Sequence, residues 1–153
     1  MMGDKKIIAA VDVAETDFER FCKYWDIDVP DELNDKSNKQ EKLIMASFLL
    51  IKSRMCKYIS EGILVVSEDG SSVTQHCKYP PIGTDNTQPY KLTYAIRSLG
   101  DLFDIDKADG KFSENVAIIA ALTGKSRAQI SQVDFRDLRY SDPIKQLFFS
   151  LLA

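Results

Sequence analysis

Few residues in this chain have the types and spacing that chemistry needs, and each candidate lacks a part. Gly124-Lys125-Ser126 has the ending of a phosphate-binding loop. Such a loop needs a glycine five residues before its final Gly-Lys, so that the backbone can wrap the phosphates, and Ile119 stands there. It also needs a strand leading in, where this sequence predicts a helix. Asp104-x-Asp106 with Asp109-Gly110 has the look of a calcium loop, but its fifth position is Ala108 and its glycine falls one place late. Asn115 takes the twelfth position, where a bidentate Glu belongs. His76 is the one histidine, and Cys77 beside it on a predicted strand points to the opposite face, so the two cannot share a metal. Without a second histidine, a zinc site or a serine triad is incomplete. Cys22, Cys56 and Cys77 are odd in number, widely spaced and free of any CxxC pair. They read as small buried hydrophobes in a reducing, cytosolic setting. No pair of Asp or Glu stands out from surface charge. The expectation is therefore a non-enzymatic protein with no catalytic residues, no metal and no cofactor; an unrecognised carboxylate site is the enzymatic alternative.

The bulk numbers narrow the partner. A chain of 153 residues is expected to form one domain, with residues 1–89 and 90–153 as sub-modules. The net charge is −3. Residues 1–41 hold 11 acids against 6 bases, residues 42–100 hold 4 against 7, and residues 101–153 hold 8 against 7. No segment has the basic excess that tracks phosphates, so nucleic acid is disfavoured as a partner. Leu43 to Ile51 is the longest apolar run and is too short to cross a bilayer. The N-terminus lacks the apolar core and cleavage site of a signal peptide.

The elements that must position any site follow from periodicity. Residues 1–14 read as a loose or strand-like lead, with Ile7 to Val11 as its apolar part. Thr16 or Asp17 then caps a short helix that carries Phe18, Phe21, Cys22 and Trp25. An acidic connector, Asp26 to Asp35, leads to a long helix from about Lys36 to Ser60. Its inward face is expected to be Leu43, Ile44, Ser47, Leu50, Ile51, Met55 and Ile59, and Gly62 ends it. Ile63 to Val66 and Val73 to Tyr79 flank Asp69-Gly70, a hairpin signal. Residues 80–89 form a loop, and Tyr90 to Ile96 alternates as a third strand. Ser98 with Asp101 marks a further helix start, with Leu99, Leu102 and Phe103 as its apolar face. The fold class is α+β: a small antiparallel three-stranded sheet, with helices before it and a cluster of short helices after it.

The last quarter is dense with helix starts. Ser113 caps a helix bearing Val116, Ile119 and Ala120, which Gly124 stops. Ser126 with Gln129 forms a capping box, Asp134 and Asp137 suit the first turn of a third helix, and Asp142-Pro143 opens a fourth. Ala120, Gly124 and Ile130 match the spacing of a helix-turn-helix: a small residue at the crossing, glycine in the turn and an aliphatic plug. On that alternative reading the protein is a DNA-binding regulator using residues 116–131, with Ser126, Arg127, Gln129 and Ser131 facing the major groove. The closing helix places Ile144, Leu147, Phe148, Leu151 and Leu152 in one stripe with Phe149 beside it. A helix apolar beyond one face is buried on two sides. These six residues are the expected partner-binding surface, for self-association into a homo-oligomer or for a client.

The same segment resembles a known family. Ala117 to Gly124, then Ile130 and Val133 to Leu138, is similar to the ending of the tail assembly chaperones of Mu-like and other long-tailed phages. Leu92-Thr93-Tyr94 leading into Ile96 to Leu102 resembles the strand-then-helix entry of that family, and Asp106 to Gly110 its following linker. The resemblance covers residues 90–140, and residues 1–89 have no counterpart in the family's minimal form. It implies a prophage protein in the host cytoplasm that binds a long helical tape-measure client before the tail tube polymerises. Apolar grooves between helices suit such a client.

Overall fold

A computed structural model describes residues 10–82, 90–96 and 110–150. Two helices come first: α1, Val11–Tyr24, and α2, Lys39–Ser60. A meander of three antiparallel strands follows: β1, Leu64–Val66; β2, Val73–His76; β3, Lys91–Tyr94. The C-terminal part is α3, Lys111–Thr123; α4, Arg127–Ser131; α5, Phe135–Leu138; a 3₁₀ turn, Arg139–Ser141; and α6, Asp142–Ser150. The protein is α+β, with a small antiparallel sheet between N-terminal helices and a cluster of short C-terminal helices.

The sheet has one buried face. Leu64 pairs with Gln75 and Val66 with Val73 across the first ladder; Val73 pairs with Tyr94 and Gln75 with Leu92 across the second. All six side chains point inward, as the two-residue period of a strand requires. On the other face the Thr74 and Thr93 hydroxyls meet at 3.0 Å. The hairpin turn is fixed from both sides. Asp69 accepts from the Ser67 hydroxyl and from the Ser71 N–H and hydroxyl. Gly70 has φ +84°, and a Cβ there would lie 2.5 Å from the Arg20 carbonyl oxygen of α1. Arg20 in turn donates to the Ser67 carbonyl at 3.1 Å, and the Trp25 indole donates to Ser71 O at 3.1 Å.

Three helix boundaries differ from the sequence expectation. Helix α1 begins at Val11, inside the expected lead, because the Phe18, Phe21, Cys22 face continues back to the buried Ala14. Thr16 bonds back to the Asp12 carbonyl, as hydroxyls inside helices do, and caps nothing. Helix α3 starts at Lys111 with Gly110 before it, so Ser113 is a first-turn residue. Asp142 is already helical (φ −55°, ψ −51°), since the chain passes straight from α5 through the 3₁₀ turn into α6. Its carboxylate pairs with Lys145 at 3.1 Å. The expected helix start at Ser98–Asp101 and the Asp104–Asp109 loop lie outside the described residues.

One apolar cluster runs from Ala14 of α1 to Phe148 of α6. Phe148 packs edge-on against Phe21 at 5.4 Å and against Trp25 at 5.3 Å, so the last helix closes the core against the first. Helix α3 lies on β3, where Ala95 N–H donates to Leu122 O at 2.9 Å. A buried polar relay ties sheet to C-terminal cluster: the Tyr94 hydroxyl donates to Gln75 at 2.6 Å, and the Gln75 amide donates to the Asp137 carbonyl at 2.7 Å. The Asp137 carboxylate, fully buried, accepts the Lys78 and Tyr79 N–H groups at 2.9 and 3.0 Å. It thereby holds the chain as it leaves β2.

Candidate functional site

Helix α2 is where the apolar surface and the fold disagree. It carries 22 residues against 14 in α1. At 1.5 Å per residue that is about 33 Å against about 21 Å, so the neighbour ends before α2 does. The second half of α2 sits in the core through Met55 and Ile59, with Ile51 and Phe48 half-buried; Phe48 meets Phe18 edge-on at 5.9 Å. The first half is exposed. Leu43, Ile44, Leu49, Leu50 and, on α1, Val11 are each between 51% and 68% accessible. Four residues expected to face inward, Leu43, Ile44, Ser47 and Leu50, therefore face solvent. The run Leu43 to Ile51 is apolar around most of the helix circumference, and α1 can cover only one side of it.

Between the two helices lies a groove of about 600 Å³. Val11, Leu49 and Cys56 supply its apolar surface, Glu15 stands on the α1 side, and Lys52, Lys57 and Glu61 on the α2 side. From Leu49 to Ser60, both on its lining, α2 advances about 16 Å, or three turns. Lys52 also borders a second hollow of about 250 Å³, which Phe18, Cys22, Val29 and Phe48 help to line. Ser53, Cys56 and Ser60 are the hydroxyl and thiol side chains on the groove's lining. Burial first, with the acids Glu15, Glu19 and Asp17 adding to it and Lys52 opposing it, pushes the Cys56 thiol up to about 11; burial first, then Cys56, pushes Cys22 to about 12. Cys77 is likewise raised to about 12 by burial, with Asp137 adding to it. Thiols held that high stay protonated and unreactive at neutral pH. Among the described residues, no three His, Cys, Asp or Glu side chains converge as metal ligands would. Nor is any described helix long and apolar enough to cross a membrane.

The residues singled out from the sequence lie elsewhere. Ile144, Leu147 and Phe148 are in the core, at 0%, 2% and 3% accessibility, so these three of the six residues expected to meet a partner are core contacts instead. The reason is α1: its Phe21 and Trp25 offer an aromatic seat that Phe148 fills. Phe149, one residue on and rotated out of that seat, stays exposed. Leu151 and Leu152 lie outside the described residues. Ser126, Arg127, Gln129 and Ser131 are all exposed on α4. That helix is five residues long, and Ser126 and Gln129 are joined in a capping box, with Gln129 N–H to Ser126 Oγ at 3.1 Å and Ser126 N–H to Gln129 Oε1 at 3.0 Å. The Ser131 hydroxyl donates to the Arg127 carbonyl. Three of the four side chains thus serve the helix itself. Gly124, at φ +72°, does make the corner that the spacing implies, and Ile130 plugs it.

Sequence reasoning missed Val11, Leu49, Lys52, Cys56 and Lys57 as a group. The signal was present in the run Leu43 to Ile51, whose apolar residues exceed what one face of a helix can hold. Read alone, the run supplies the inward face of the long helix and is excluded as a membrane span. Comparison of the chain with protein-family models, curated proteins and solved structures finds no match.

Proposed function

We propose that this protein is a non-enzymatic assembly protein that shelters an amphipathic helix of a client in the groove between α1 and α2. The observation that carries this reading is the groove itself, three helical turns long and lined by the exposed Val11 and Leu49 together with Cys56, on a helix that also exposes Leu43, Ile44 and Leu50. Concave apolar surface of this kind is characteristic of interaction sites. A helix laid in an apolar groove is held by anchors at i, i+3 or i+4 and i+7, which matches a three-turn contact. The resemblance of residues 90–140 to tail assembly chaperones supplies the client, a long helical tape-measure protein. On this reading the C-terminal cluster is scaffold: Val116, Ile119, Leu122 and Ile130 from the resembling stretch are all core residues.

Co-expression with the tape-measure protein of the same gene cluster tests this directly. The client is expected to stay soluble and co-purify with the wild-type chain, and to be lost with Leu49→Asp while circular dichroism stays unchanged. A gene set among metabolic enzymes with no tape-measure gene, or a client retained by Leu49→Asp, would overturn the reading.

A further inference from the structure

Strand β3 lies at the margin of the sheet, and its register decides which main-chain groups face outward. Cys77 N–H donates to Tyr90 O at 2.9 Å, so the bonded pairs of this ladder continue at Gln75 with Leu92 and at Val73 with Tyr94. Lys91 and Thr93 take the alternate positions, where side chains come closest across the ladder; the 3.0 Å contact between the Thr74 and Thr93 hydroxyls marks one of them. The N–H and C=O groups of Lys91 and Thr93 therefore point away from β2. The next outward group, Ala95 N–H, is taken by Leu122 O of α3. Among the described residues nothing bonds to the main chain of Lys91 or Thr93, and Lys91 is exposed. An edge of this kind is a template for another strand.

The surroundings of this edge are basic. Residues 70–82, 90–96 and 115–133 include Lys78, Lys91, Lys125 and Arg127 and no Asp or Glu. Lys125 Nζ lies 5.3 Å from the ring centre of Tyr90, the residue before Lys91, so the turn that follows α3 adds its charge at this end of the strand. The ion pairs of the described residues are Asp17–Arg20, Asp134–Arg136 and Asp142–Lys145, and neither Lys91 nor Lys125 belongs to them. Asp137, packed at the end of β2, is buried and already accepts the Lys78 and Tyr79 N–H groups.

We infer that β3 receives an extended acidic segment of another protein as a fourth strand of the sheet. This site is separate from the groove between α1 and α2 and does not rest on it. Main-chain bonds to Lys91 and Thr93 hold the segment, and its acids select it by meeting Lys91 and Lys125. A helical partner has no use for the edge, because its own N–H and C=O groups are spent internally. A second copy of this chain fits less well: an isologous contact sets one basic edge against another, with no acid to offset the lysines.

The test uses the full chain and labelled peptides about eight residues long, in which threonine alternates with glutamate, lysine or glutamine. Fluorescence anisotropy at low salt is expected to show the glutamate peptide binding about tenfold tighter than the glutamine peptide, with the lysine peptide weakest. Lys91→Glu, with an unchanged circular dichroism spectrum, is expected to abolish that preference. Residues bonded to Lys91 and Thr93 carry their side chains on the face of the Lys91 side chain. N-methylation of the glutamates should therefore cost about tenfold, and N-methylation of the threonines little. Equal effects of the two methylations would show that the peptide is held by charge alone and would overturn the inference. Binding of a single-stranded DNA oligomer as tight as that of the glutamate peptide would overturn it too, and identify a polyanion surface. If no peptide binds, the inference falls. Sedimentation then identifies a second copy if Thr93→Pro splits a dimer, and binding gained by Asp104→Ser with Asp106→Ser identifies the chain's own following segment as the occupant.

Discussion

Helix α6 and the first half of α2 look alike as sequence and behave oppositely in the fold. Both are short apolar stretches with more large side chains than one face can hold. In α6, Ile144, Leu147 and Phe148 are buried, and Phe148 is seated on Phe21 and Trp25. In α2, Leu43, Ile44, Leu49 and Leu50 are exposed, because the helix that packs beside it is eight residues shorter (14 against 22). Apolar periodicity states how much surface seeks cover. Which element supplies the cover depends on the lengths and positions of neighbours, and that is settled only by the assembled fold.

The sharpest way to break this contrast is to truncate one side chain on each side of it. Phe148→Ala removes a buried ring and is expected to cost about 3–5 kcal/mol in urea unfolding. Leu50→Ala, on the overhanging part of α2, is expected to change stability by less than about 0.5 kcal/mol in the same experiment. Similar losses at both positions would mean that α2 is covered and that the contrast is false.

Asp137→Ala separates core apolar contacts from the buried polar relay. It strips the acceptor from the part-buried Lys78 and Tyr79 N–H groups; a fully buried orphan costs about 1–3 kcal/mol, and the loss here is expected at the low end of that range, about 1 kcal/mol. Amide exchange at Lys78 and Tyr79 should accelerate in this variant, while exchange in α2 should not. If exchange accelerates throughout, Asp137 supports more than the exit from β2.

A smaller effect tests the end of the hairpin that faces α1. Hydrogen bonds from Ser71 and Ser67 lower the Asp69 carboxyl from 3.8 to about 2. A depressed folded-state value means that these bonds contribute fully above the unfolded value and are lost as pH falls through about 2. Carboxyl chemical shifts should place the Asp69 midpoint near 2, and Ser71→Ala should raise it. A midpoint near 3.8 in the wild type would show that the turn is not held by this side chain.

The hairpin turn, one capping box and the glycine helix ends were legible in the sequence; the caps expected at Thr16 or Asp17, Ser113 and Asp142, and the tertiary cover, were not. Asp69-Gly70 marked the hairpin, Ser126 with Gln129 marked a capping box, and Gly124 and Gly62 marked helix ends, because each signal acts through its own few residues. The start of α1 was misplaced since Ile7 to Val11 is β-branched enough to read as strand, while the helical face behind it is carried by Ala14, a weak apolar signal. The role of Asp137 was hidden because its donors lie 58 and 59 residues away. The groove was hidden for the same reason: it exists only once α1 lies against α2, and the residues that line it, Val11 and Glu15 with Leu49 to Lys57, come from two distant stretches.

The claim on which the account turns is that the client meets α1 and α2 while α6 remains core. Methyl NMR of the full chain, with the helical client added stepwise, tests it most directly. The predicted result is progressive shifts of the Val11, Leu43, Ile44, Leu49 and Leu50 methyls, with those of Ile144 and Leu147 unchanged. Shifts concentrated on Ile144 and Leu147, with the α2 methyls still, would contradict it and return the client site to the closing helix.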